Sequence, residues 1–202
     1  MERVFEIPGQ GKLELLWEET GLTVTVEDYG TGERGSTVLR MRELGMLAGW
    51  MAGLEDAVFF RYKEKRLSFK WLPEKAGFRV VYEEYDESGN RLKRAGVAPK
   101  GLIALKVLHT LEDFLKNSEV VYTSDGKLIT KTKGMLMVND RASGEQTILS
   151  PPRMEELRLL IRSVGKIKDL LYDHKGISYN GKLSVDGITF SDEEIRVLRL
   201  LL

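Results

Sequence analysis

The chain has 202 residues, with 31 Lys plus Arg balanced by 31 Asp plus Glu, two His, no Cys and 42% hydrophobic residues. That length fits one large or two small domains with enough apolar content to bury a core, and the missing cysteines exclude a disulfide framework, a thiolate nucleophile and a cysteine zinc site. A zero net charge removes the simplest argument for nucleic acid, a globally basic chain, and no apolar run reaches the roughly 18 residues needed to cross a bilayer.

The start, MERVFEIPGQGKLE, places two acids among its first six residues and has no signal-peptide core, so the expectation is a soluble, cytoplasmic protein with no membrane partner. The next segment, 12–56, aligns with 66–113: Trp17 falls on Trp71, Tyr29 on Tyr85, and the LED at 54–56 on the LED at 111–113. A third copy runs through 127–171, and a shortened fourth, beginning KGISYNGKLSVDG, closes the chain. The turn glycines Gly32, Gly89 and Gly144 lie 57 and 55 residues apart, which marks a repeated unit.

Within each unit the pattern predicts strands and then one helix. LTVTVEDY and FRVVYEEY are rich in β-branched and aromatic residues, and TGERG, DESGN and RASGE separate them from the next extended run as hairpin turns. Leu67, Phe69 and Trp71 alternate with Arg66, Ser68 and Lys70, and Phe78, Val80 and Tyr82 alternate with Arg79, Val81 and Glu83, so one sheet face is apolar and the other polar. Leu13, Leu15 and Trp17 repeat the apolar face, which assigns both tryptophans to the core.

The first helix, near 42–56, carries Gly45, Gly49 and Gly53, a bare stripe that permits close approach of another element. Pro99 is expected in the first turn of the second helix, 100–116, where its missing N–H costs nothing. The third helix starts at Ser150-Pro151-Pro152. The fourth starts at Ser191, with Glu194 completing a capping box. Together these predict an α+β protein of tandem ββββα units, with antiparallel sheets and helices packed on one face. The expected division is 1–117, two units sharing one pseudo-twofold core, and 118–202, the third unit with the shortened fourth.

Catalytic signals are sparse. There is no GxxxxGK[ST], GxSxG or HExxH, and no GxGxxG between strand and helix. His109 sits in a helical run and reads as an interior or helix-flank residue; His174, in YDHKG, reads as a solvated turn residue. The expectation is a protein that is not an enzyme, with no catalytic residues, no metal ligands and no cofactor.

Charge is uneven along the chain. Residues 1–60 carry 5 basic and 11 acidic side chains, and residues 61–100 carry 11 basic and 6 acidic. On the outward face the second unit offers Arg66, Lys70, Arg79 and Tyr85, while the first offers Glu14, Glu18, Thr23, Thr25, Glu27 and Tyr29. Lysines and arginines can follow a phosphate backbone while Tyr62 or Tyr85 stacks on a base. Lys131 and Lys133, in GKLITKTKG, form a smaller cationic patch in the third unit.

FRVVYEEYDESGN, a strand ending in acidic and aromatic residues before a glycine turn, and QTILSPPRMEELRLLI, a strand leading through proline into a helix, resemble the superfamily of PC4 transcription coactivators, Whirly proteins and PUR repeats. The resemblance implies two units paired in one pseudo-twofold domain, oligomerisation, and single-stranded DNA or RNA bound over a curved sheet surface. The alternative expectation is a structural protein that assembles with protein partners, because complementary acidic and basic faces can associate.

Overall fold

A computed structural model describes residues 1–73 and 76–202. The fold is α+β: among the described residues there are four four-stranded antiparallel sheets and four helices. The first sheet contains β1 (Glu2–Ile7), β2 (Gly11–Glu18), β3 (Gly21–Asp28) and β4 (Arg34–Leu39), followed by α1 (Met41–Met51). The second contains β5 (Ala57–Tyr62), β6 (Lys65–Trp71), β7 (Phe78–Tyr85) and β8 (Arg91–Val97), followed by α2 (Gly101–Lys116). The third contains β9 (Val120–Thr123), β10 (Lys127–Thr132), β11 (Met135–Asp140) and β12 (Gln146–Leu149), followed by α3 (Pro151–Ser163). The fourth contains the three-residue strands β13 (Tyr172–His174), β14 (Ile177–Tyr179), β15 (Leu183–Val185) and β16 (Ile188–Phe190), followed by α4 (Asp192–Leu201). Every sheet is a meander in which each strand pairs with its chain neighbour.

The chain divides into two compact units, Met1–Glu43 with Glu55–Phe114, and Leu44–Leu54 with Leu115–Leu202. This division differs from one at 117/118 by residues 115–117 and by the segment 44–54, most of which is α1.

In the first unit, strand alternation sorts the side chains. Leu13, Leu15, Leu22, Val24 and Val26 on one sheet and Phe69, Phe78, Val80 and Tyr82 on the other are buried, each worth about 1.5–3 kcal/mol relative to exposure. The two apolar faces meet at Gly35 of β4, where an added Cβ would lie 2.0 Å from the Tyr82 ring. The tryptophans sit at the margin of this core. Trp17, half-buried, stacks on Phe114 of α2 at 5.8 Å, and half-buried Trp71 meets Phe78 edge-on at 6.0 Å. The edge strand β8 is covered by side chains from the first sheet: Gly96 N–H donates to Asp28 Oδ2 at 3.0 Å, and the Gln10 amide accepts from Ala98 N–H at 2.7 Å. A covered edge cannot template pairing with another chain.

Pro99 does not open α2. Its carbonyl accepts Phe78 N–H and Lys100 bridges Gly77, so β-type pairing continues past Pro99 and the helix begins at Gly101.

In the second unit the glycine stripe has a definite role. A Cβ on Gly45 would fall 1.9 Å from the Val121 carbonyl oxygen, so α1 lies directly against the β9 backbone; Gly49 faces the Tyr122 ring at an ordinary 3.6 Å. Leu44, Leu47 and Trp50 of the same helix are buried. The Ser191–Glu194 capping box forms, with Ser191 Oγ accepting Glu194 N–H at 3.1 Å and Glu194 Oε1 accepting Ser191 N–H at 2.8 Å. That carboxylate also takes Lys127 Nζ at 2.8 Å and the Ser124 hydroxyl at 2.8 Å, and Lys127 and Glu194 are both buried. Burial pushes the Glu194 carboxyl up, but Lys127, Ser191 N–H and Ser124 outweigh it and hold it below the ordinary range.

Two further clamps fasten α3 to the last sheet. Arg153 grips Asp186 with two nitrogens, at 2.9 and 3.0 Å, and Asp186 also accepts the Thr147 hydroxyl. Glu156 accepts the Tyr172 hydroxyl and sits 2.8 Å from His174 Nδ1. His174 is therefore solvent-exposed, as expected, but it stands at the end of β13 and is paired to Glu156. His109 lies exposed on the flank of α2.

Candidate nucleic-acid interface

The outward face of the β5–β8 sheet is set by its register. Residues directly opposite in an antiparallel pair project to the same side, and rows two residues apart are separated by about 7 Å. One row holds Ala57, Lys70 and Arg79; the next holds Phe59, Ser68, Val81 and Gly96; the next holds Arg61, Arg66, Glu83 and Arg94. The row that Phe59 heads is thus flanked on both sides by cations, with Glu83 among them on one side. Phe59 stands 70% exposed at its margin, and beside it a cleft of about 300 Å³ is lined by Phe59, Arg61, Arg66, Val81 and Glu83.

Of the residues singled out in the sequence, Arg66, Lys70, Arg79 and Tyr85 come together on this face. Lys70 and Arg79 are exposed and directly opposite one another. The Arg66 guanidinium lies 4.1 Å from the Tyr85 ring centroid, a cation–π contact that covers one face of the ring. The Tyr85 hydroxyl donates to Glu83 at 2.8 Å. That bond, with partial burial and the negative charge of Glu83, pushes the phenol up, while Arg66 and Arg91 pull it back. Tyr85 is accordingly a fixed, phenol-protonated support under Arg66.

Tyr62 lies elsewhere. It pairs with Lys65 at the hairpin end and shares strand parity with buried Val58 and Phe60, so it belongs to the opposite side of the sheet from Arg66 and Lys70. Its ring is 60% exposed with Lys63 Nζ at 5.4 Å. The aromatic residue that the sequence reading missed is Phe59. The signal was present in AVFFRY, because two consecutive phenylalanines in a strand must point to opposite faces.

Lys131 and Lys133 separate from each other as well. Lys131, grouped in the sequence with surface cations, is only 4% exposed. It shares the inward parity of Ile129, and its Nζ donates to Leu115 O at 2.5 Å, Lys116 O at 3.0 Å and Leu201 O at 2.6 Å. It therefore helps to satisfy the terminal carbonyls of α2 and α4, which lie beyond the last regular helical bonds and of which Leu115 O also takes Ser118 N–H at 3.3 Å, and it has no proton left for a phosphate. Burial, with the nearby Lys116 charge, lowers its pKa to about 8. Lys133 is exposed in the β10–β11 turn and lines a cleft of about 490 Å³ with Lys116 and Arg158. Arg158 is already paired with Glu155.

The outward face of the β1–β4 sheet has the opposite charge. Glu2, Glu6, Glu14, Glu18 and Glu27 share it with Lys12 and Arg34. The Tyr29 hydroxyl donates to Glu6 at 2.6 Å, a bond that pushes the phenol up to about 12. Among the described residues no group of three or more His, Cys, Asp or Glu could hold a metal ion, and no helix is long and apolar enough to cross a membrane.

The chain matches no protein-family model and no curated protein. Among solved structures it is similar to one described as "Crystal structures of trypanosoma bruciei MRP1/MRP2", at 14% sequence identity and a TM-score of 0.44, over 58% of this chain and 83% of that one.

Proposed function

We propose that this protein binds single-stranded DNA or RNA, without catalysis, through the outward face of the β5–β8 sheet. The observation that carries the reading is the exposed Phe59 row flanked by Lys70 and Arg79 on one side and Arg61 and Arg66 on the other. An aromatic ring accepts a base of any sequence, and cations on both sides accept the backbone on either side of it. Arg66 held over Tyr85 presents its guanidinium in a fixed position, which reduces the ordering cost of a phosphate contact.

The reading extends the likeness to PC4, Whirly and PUR proteins, in which paired units present curved sheets to single strands. On this proposal the chain is a set of tandem ββββα repeats with helices on one face of each sheet, works as an oligomer in the cytoplasm, and needs no cofactor.

Titration of a fluorescent single-stranded oligonucleotide at two salt concentrations tests it. Phe59→Ala should cost about 1–3 kcal/mol, roughly five- to 150-fold in affinity. Lys70→Glu with Arg79→Glu should flatten the logarithmic salt slope by about two units, one per lost phosphate contact. Equal affinities for wild type and both variants at low salt would remove nucleic acid from this face.

A further inference from the structure

We infer that the acidic outward face of β1–β4 is a docking surface for a second copy of this chain, which it engages through that copy's basic β5–β8 face. The two faces belong to one compact unit and their apolar sides meet at Gly35 and Tyr82. The charged sides therefore look in opposite directions. No single copy can bring its own two faces together, whereas a neighbour can.

The complementarity has two parts. Five glutamates against Lys12 and Arg34 stand on one face, and Arg61, Arg66, Lys70, Arg79 and Arg94 against Glu83 stand on the other. Each face also carries exposed apolar side chains: Val4 near half-buried Leu16, with Val38 across Thr23 on the far edge strand, 52% and 37% exposed, on the acidic side, and Phe59 on the basic side. Opposed charge around these apolar side chains sets both encounter and register. In the acidic face the row of Glu6, Lys12, Glu27 and Arg34 alternates in sign, and Arg34 holds Glu14 at 2.7 Å. Glu2 and Glu18, both exposed, adjoin Leu16 and are left to meet the partner's cations.

Four strands about 4.8 Å apart and about seven residues long give a face of roughly 19 by 23 Å. Two such faces bury about 900 Å² in total, in the range of weak, transient contacts. The contact is head-to-tail, so association extends beyond a dimer unless its rotation happens to close a ring. Nucleic acid is not required for it, and an oligonucleotide on the basic face would compete with it.

Sedimentation velocity at about 50 and about 500 mM salt tests the inference, because the Debye length falls severalfold over that range. Wild type at a few hundred micromolar should sediment as larger species at low salt and as monomer at high salt, with apparent affinity falling about tenfold or more. Lys70→Glu with Arg79→Glu should be monomeric at both, as should Glu2→Lys with Glu18→Lys. An equimolar mixture of these two variants should associate again, since each now offers the charge that the other lacks. Wild type that stays monomeric at low salt would overturn the inference, as would association indifferent to salt. So would a mixture of variants, folded by circular dichroism, that fails to associate. The Glu2→Lys, Glu18→Lys variant keeps the basic face, so its oligonucleotide titration separates this inference from the nucleic-acid reading. Oligonucleotide binding in a wild type that never self-associates sinks the docking surface alone, and self-association with no oligonucleotide binding sinks the other alone.

Discussion

Lys131→Met removes a buried ammonium from the point where two helices end. At neutral pH the folded protein holds that ammonium charged at a cost, since burial has lowered its pKa from 10.5 to about 8; at about 1.4 kcal/mol per unit the penalty is about 3 kcal/mol. Methionine relieves this penalty and removes three charge-assisted hydrogen bonds, one each to the carbonyls of Leu115, Lys116 and Leu201. Each hydrogen bond from a charged donor is worth about 1.5–3 kcal/mol, so the loss of three outweighs the relief and the variant should be less stable by about 3 kcal/mol at pH 7. The pH dependence has a definite sign. Below about 8 both the folded and unfolded amine are protonated and the whole penalty is present. Between about 8 and 10.5 the folded amine has lost its proton while the unfolded one keeps it, so the unfolded state binds more protons and stability rises with pH. Urea denaturation of both proteins at half-unit steps from pH 7 to 10.5 isolates this group, because the other titrations are common to both. The gap between wild type and variant should widen by up to about 3 kcal/mol across that window. A gap that narrows would mean that the three carbonyls hold the proton more firmly than water does, and the account of Lys131 would be wrong.

The glycines of α1 offer a contrast of sign. Gly45→Ala should lower the urea midpoint by the equivalent of about 2 kcal/mol, because the Cβ meets the Val121 backbone at 1.9 Å and backbone must move. Gly49→Ala meets only the Tyr122 ring at 3.6 Å and should instead gain up to about 1 kcal/mol of helix propensity. Glu194→Gln should cost about 3–5 kcal/mol in thermal or urea melts by leaving Lys127 buried and unpaired. In the wild type the lowered Glu194 pKa contributes stability that is present above the ordinary carboxylate pKa of about 4.3 and is lost as pH falls through the folded value. Acid titration of the variant should lack that segment.

What the sequence disclosed is what local rules govern. Gly32, Gly89 and Gly144 stand in the β3–β4, β7–β8 and β11–β12 turns, each at positive φ where a side chain would be strained, and the Ser191–Glu194 cap forms from its spacing alone. Period two sorted Arg66, Lys70 and Arg79 correctly onto one face. The same rule, applied to KLITKT, would have placed Lys127 and Lys131 inward beside Ile129; the charge of a lysine overrode the parity argument in the reading, although an inward lysine needs only suitable acceptors. Those acceptors are helix ends far along the chain, and no local pattern announces them. Glu156 beside His174, and Asp28 on the β8 edge, are likewise tertiary meetings. Phe59 is legible in AVFFRY, since period two sets it on the face opposite Val58 and Phe60, where Arg66 and Lys70 stand.

The assignment of 44–54 to the second compact unit bears on how the chain is made. Arg196 donates to Ala52 O across 144 positions, and Gly45 packs on Val121. At roughly 5–20 residues per second, α1 leaves the ribosome on the order of ten seconds before β9 and still longer before α4. During that interval Leu44, Leu47 and Trp50, buried in the finished protein, wait in a helix whose contacts with β9 and α4 have yet to form. Biogenesis therefore has a built-in waiting period, and a nascent chain stalled before residue 115 displays an apolar helix that holdase chaperones can capture.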